Sequence, residues 1–165
     1  MPRRPVATIG YEGATVGTFL EALRAARIEL LVDVRAVASS RRPGFAKTAL
    51  AANLEGAGIA YLHLRDLGTP APGRAAARAG RHAEMRRIFQ AHLDTAAARD
   101  ALDTLADIVH AGRRVCLLCL EADATHCHRA IVADALAALL PIRVEHLATA
   151  APDAHLRAGG LPEDG

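Results

Sequence analysis

Apolar residues along this chain fall into two kinds of run that alternate. Short continuous blocks, polar only toward their C-terminal ends, read as buried strands over 6–11, 30–35, 59–67, 115–120 and 143–147. Between them apolar positions recur at helical spacing. Val16, Phe19, Leu20 and Leu23 predict a first helix with Thr15 as its N-cap. Leu50 and Leu54 mark a second over 46–57, stopped by Gly56 and Gly58. A short helix follows around Met85, Ile88, Phe89 and Leu93, then a longer one around Leu102, Leu105, Ile108 and Val109 that ends at Gly112. The last carries Val132, Leu136 and Leu139 and stops at Pro141. The stretch 68–80, rich in Pro, Gly, Ala and Arg, reads as a linker.

Strands that alternate with helices and lack alternating polarity imply an α/β fold, with a mostly parallel five-stranded sheet flanked by helices on both faces. We expect a single domain over 1–149 and a disordered polar tail over 150–165. At 52% hydrophobic residues the chain can build a core, which with no Trp must come from Leu, Val, Ile and Ala. No apolar run approaches the ~20 residues of a membrane span. The basic N-terminus leads straight into a strand without the hydrophobic region of a signal peptide, so the expected location is the cytoplasm.

The net charge of +2 neither demands nor forbids a polyanionic partner. Lys47 is the sole lysine among twenty basic residues, a bias that makes arginine enrichment a weak sign of phosphate binding. With aromatics at 3%, an extended nucleic-acid groove is not expected. The three cysteines cluster in one segment, unlike a secreted disulfide framework. They suggest a free-thiol site, a metal site or core packing.

In parallel sheets ligands bind beyond the carboxyl ends of the strands. Polar residues gather there at four predicted strand ends: Glu12; Asp33 and Arg35; His63, Arg65 and Asp66; Cys119 and Glu121. Cys116 and Cys119 look like a C-x-x-C pair, but alternation on a strand sends them to opposite faces, and Cys116 reads as core. Cys127 falls at a helix N-terminus, where free N–H groups favour a thiolate or an anion. An arginine at position 129, in the first turn, opposes the dipole and calls for a partner, either Asp33 or an anionic ligand. The plainer readings stand beside these: Asp33 and Arg35 as an ion pair, the Ser39–Arg42 loop as solvated surface, and His82, His92, His110, His146 and His155 as surface residues.

Thr8-Ile9-Gly10-Tyr11-Glu12-Gly13, Leu31-Val32-Asp33-Val34-Arg35 with Ser40-Arg41-Arg42-Pro43-Gly44-Phe45 behind it, Tyr61-Leu62-His63-Leu64, and Cys119-x-Glu121 with Cys127-His128-Arg129 together resemble the domain of unknown function 488 family. The resemblance spans about residues 6–149 and implies a compact α/β domain, without an established activity. It implies motif positions at Asp33, Arg35, Cys119, Glu121, Cys127, His128 and Arg129. The expected function is an enzyme acting on a small phosphate- or nucleotide-bearing anion. Cys127, Cys119, Glu121 and Asp33 would be catalytic, and Arg35, Arg41, His63, His128 and Arg129 would bind the ligand. The alternatives are a nucleotide or nucleic-acid binding module without chemistry, or a Cys/His metal protein. No cysteine pair has finger spacing, so neither a metal nor another cofactor is assigned.

Overall fold

A computed structural model describes residues 3–149, apart from the side chain of Thr125. The expected tail and His155 lie outside them. The element order is β1 (Arg4–Gly10), α1 (Val16–Ala25), β2 (Leu30–Asp33), α2 (Lys47–Gly56), β3 (Ala60–His63), α3 (Ala71–Arg78), α4 (His82–Leu93), α5 (Ala96–His110), β4 (Val115–Cys119), α6 (His128–Ala137) and β5 (Ile142–Leu147). The strands form one sheet in the order β3-β2-β4-β1-β5, and every pair is parallel.

Period-two alternation divides the core between the two faces of this sheet. On one face Ala7, Ile9, Leu31, Cys116 and Leu118 pack with Phe19 and Leu23 of α1 and with Leu50 and Leu54 of α2. On the other, Val6, Val32, Leu117 and Cys119 pack with Met85, Phe89, Leu105, Val132 and Leu136 of α4, α5 and α6. Cys116 and Cys119 thus occupy opposite faces, as the alternation requires. Thr15 caps α1 in a reciprocal capping box with Thr18.

The linker expected over 68–80 is instead mostly helix. Its alanines are strong helix formers, and Pro72 lies in the first turn of α3, where its missing N–H has no intrahelical use. Gly73 lets α3 sit close to α4: a Cβ there would meet the Thr69 methyl at 2.4 Å and Ile88 at 3.3 Å. The third strand is also shorter than expected, because a 3-10 turn over Arg65–Leu67 ends it.

Candidate functional site

The register aligns the C-terminal ends of the central strands, pairing Gly10 with Cys119 and Asp33 with Leu118. A cleft of about 200 Å³ opens above them. Arg35, Cys119, Glu121 and His128 line it, together with Arg74 and Arg78 from α3 and an apolar wall that includes Val37, Met85 and Leu120. Val37 and Leu120 are among the few large apolar side chains left exposed.

Asp33 and Arg35 form a buried ion pair beneath one side of this cleft. The Asp33 carboxylate accepts from Arg35 Nη2 at 2.7 Å, from Nε at 2.9 Å, from the Arg35 amide, and from the Tyr61 hydroxyl at 2.6 Å. Arg35 Nη1 donates to the Tyr11 hydroxyl and the Phe45 carbonyl. Five donors less these uses leave one Nη2–H of Arg35 for a ligand. Burial works against the Arg35 charge, but hydrogen bonds and attraction from Asp33 outweigh it and raise the pKa. Burial and the hydrogen bond to Asp33 also hold the Tyr61 phenol well above its ordinary range.

The loop from Leu120 to Cys127 carries Glu121 and is fastened from three sides. Glu12 Oε1 accepts the Ala122 amide at 3.1 Å. Gly10 admits the Glu121 carbonyl into the space a Cβ would fill. From below, the Arg129 guanidinium donates to the carbonyls of Glu121 and Ala122, and through Nε to the Thr8 hydroxyl at 3.0 Å. Arg129 is wholly buried, and burial lowers its pKa. The partner that the dipole argument asked for is therefore this loop and not Asp33. Asp33 follows the alternation onto the α1–α2 face, opposite Arg129 and Thr8.

Cys119, at the end of β4, and Cys127, the N-cap of α6, are joined by a disulfide across the eight-residue separation. Of the three cysteines only Cys116 is a free thiol, buried in the core with its pKa pushed up by that burial. His128 donates Nε2–H to the Val34 carbonyl at 2.7 Å and turns Nδ1 toward Cys127 Sγ at 3.8 Å. Burial pushes its pKa down to about 4, so the ring is neutral and Nδ1 bears a lone pair. Glu121 Oε1 lies 3.2 Å from Cys119 Sγ, and burial raises the Glu121 pKa toward the protonated form.

The cleft thus brings together four of the nine residues singled out from the sequence: Arg35, Cys119, Glu121 and His128. Asp33, Cys127 and Arg129 lie behind its walls. His63 bonds the Arg35 carbonyl at 2.7 Å and does not reach the cleft. Arg41 is exposed and outside it, while its neighbour Arg42 ties the loop to the Ala14 carbonyl. Arg74 and Arg78 were hidden in the supposed linker. Read as a helix, their i,i+4 spacing would have put them on one face. His126 also lines the cleft and stacks on His82 at 4.1 Å between ring centroids.

A family model described as "Domain of unknown function DUF488" matches residues 15–136, most of the chain. No curated protein matches the chain, and no solved structure matches it either.

Proposed function

The chain belongs to the domain of unknown function 488 family, and on that premise we propose that it is an enzyme whose cleft takes a small phosphate- or nucleotide-bearing anion. One observation carries the reading: Arg74 and Arg78 line a cleft whose sole acidic lining residue among those described, Glu121, has a raised pKa. The charge of Arg35 is balanced by Asp33, so the uncompensated positive charge comes from α3. Arg74 holds the Thr69 carbonyl through Nη1 at 2.9 Å and keeps its other donors. Arg78 makes no side-chain hydrogen bond among the described residues. Arg35 adds its one remaining N–H. Guanidinium donors of this kind suit phosphate oxygens, and the apolar wall of Val37, Met85 and Leu120 suits an organic moiety.

The reactive groups line the same cleft as these arginines. Glu121, whose pKa burial raises, serves as the general acid or base. Cys119, exposed to the cleft once its bond to Cys127 is reduced, supplies the thiol. Inorganic phosphate and adenosine monophosphate, titrated separately into the full chain by calorimetry, test the binding step. The expected result is binding that weakens about tenfold or more in Arg74→Gln and in Arg78→Gln, the loss of a charged hydrogen bond. Binding absent in the wild type, or unchanged in both variants, overturns the reading.

A further inference from the structure

Three potential ligand atoms meet at the base of the cleft. Cys119 Sγ, Cys127 Sγ and His128 Nδ1 all lie within 4.8 Å of one another, and all three residues are buried. They come from two elements: Cys119 ends β4, while Cys127 and His128 open α6. Two thiolates on one tetrahedral zinc sit about 3.8 Å apart at a Zn–S distance of about 2.3 Å. The Cα atoms here stand 7.4 Å apart, which leaves room for that separation.

The surroundings match what thiolate and imidazole ligands need. A metal-binding histidine characteristically donates its other ring N–H to a carbonyl or carboxylate, which fixes the tautomer. His128 does so at the Val34 carbonyl, leaving the Nδ1 lone pair aimed at Cys127. The Arg129 backbone N–H reaches Cys127 Sγ at 3.5 Å, and Arg129 Nη1 reaches Cys119 Sγ at 4.0 Å, both favouring thiolate over thiol. Glu121 Oε1 stands beside Cys119, and Cys119 and His128 face the cleft, so a fourth coordination position would open toward it. Two sulfurs and one nitrogen with an open fourth place is a zinc arrangement of the catalytic kind.

We propose that, when the Cys119–Cys127 bond is reduced, Cys119, Cys127 and His128 bind one divalent ion of the zinc class, its fourth position open to the cleft. The two states exclude each other. A dithiol or phosphine reductant supplies two electrons and, with two protons from solvent, converts the disulfide to two thiols while being oxidised itself. The ion then displaces both thiol protons to solvent, and a two-electron oxidant of the disulfide or peroxide class re-forms the Cys119–Cys127 bond and releases the ion. This inference goes beyond the anion reading and does not depend on it, because metal uptake is measured with no anion present. With the ion bound, Cys119 is its ligand, and the thiol role proposed above belongs to the reduced, metal-free protein.

The test uses the full chain, reduced with a phosphine under anaerobic conditions, desalted, and titrated with Co²⁺ alone. One equivalent should bind with intense sulfur-to-cobalt charge-transfer bands and tetrahedral visible absorption, and one equivalent of Zn²⁺ should displace it. Cys116→Ser should behave as wild type. Cys127→Ser should lose affinity by more than about 100-fold, beyond what losing an outer-shell partner costs. Because Cys127 is a buried N-cap whose replacement also tests the fold, disulfide-oxidised wild type provides the second comparison and should bind no cobalt. No binding by the reduced wild type, an octahedral spectrum without charge-transfer bands, or equal binding by the oxidised protein overturns the proposal.

Discussion

Arg129→Gln separates a structural clamp from a ligand contact, because the structure commits its guanidinium to the protein. Its Nε and Nη donors reach Thr8 Oγ1 at 3.0 Å, the Ala122 carbonyl at 3.2 Å and the Glu121 carbonyl. Hydrogen bonds from a charged donor contribute about 1.5–3 kcal/mol each. Glu121 and Ala122 are partly or fully exposed, so their carbonyls regain water when the guanidinium is lost. Thr8 is fully buried, yet its hydroxyl keeps His146 Nδ1 at 2.6 Å as a second partner. Removing the charge also removes its burial penalty, the same effect that lowers the Arg129 pKa. Together these reduce the gross loss to about 3 kcal/mol, near the lower bound for breaking a buried charged contact. For a domain of this size that is a fall in Tm of about 6–12 °C. Thermal melts with and without phosphate provide the assay. The fall should appear without ligand, and phosphate should still raise Tm, since Arg129 does not line the cleft. An unchanged Tm together with loss of the phosphate response would refute the reasoning and make Arg129 a ligand contact.

Three further outcomes follow from the same geometry. Asp33→Asn should cost about 3–5 kcal/mol in urea unfolding, because it leaves the Arg35 guanidinium buried without its counter-charge; a loss below about 1 kcal/mol would contradict the ion-pair account. Gly10→Ala places a Cβ 1.6 Å from the Glu121 carbonyl oxygen. It should lower stability by about 1–3 kcal/mol and weaken phosphate binding by shifting the loop, and an unaltered urea midpoint would show that the loop is not seated on Gly10. After phosphine reduction, iodoacetamide at neutral pH should modify Cys119 before Cys116, whose burial both shields it and raises its thiol pKa. Residue-resolved mass spectrometry showing Cys116 modified first, or equally fast, would overturn that ranking.

The strands and most helices were legible in the sequence because one periodicity dominates each. Leu30 to Val34 is apolar except at Asp33, and Phe19 and Leu23 recur at helical spacing. The same rule set Cys116 and Cys119 on opposite faces. It also held the information that Asp33 and Cys119 part company, but that follows only once the register of β2 against β4 is known. Helix α3 was obscured because Gly68, Pro70, Pro72 and Gly73 all read as breakers. Only the structure shows that Pro72 occupies the first turn and that Gly73 is a point of close approach. Arg41 and Arg42 are alike in sequence, and only the folded loop, which also stacks Phe45 on Tyr11 with ring centroids 4.6 Å apart, shows that Arg42 is the one bonded to the Ala14 carbonyl.

Nineteen arginines made each one a poor signal alone, and burial sorts them by what remains of their donors. Arg129 gives its guanidinium to Thr8 and the loop carbonyls, and Arg35 gives all but one N–H to Asp33, Tyr11 and Phe45. Such side chains hold the cleft in shape before any ligand arrives, and a preformed site loses less conformational entropy on binding. Arg74 and Arg78 sit on α3 with donors still free, so they can adapt to an anion without unsettling the sheet. The division orders the expected phenotypes. Substitutions at the inner arginines should act first on stability, and those on α3 first on affinity. A guanidinium that moved both equally would belong to neither layer.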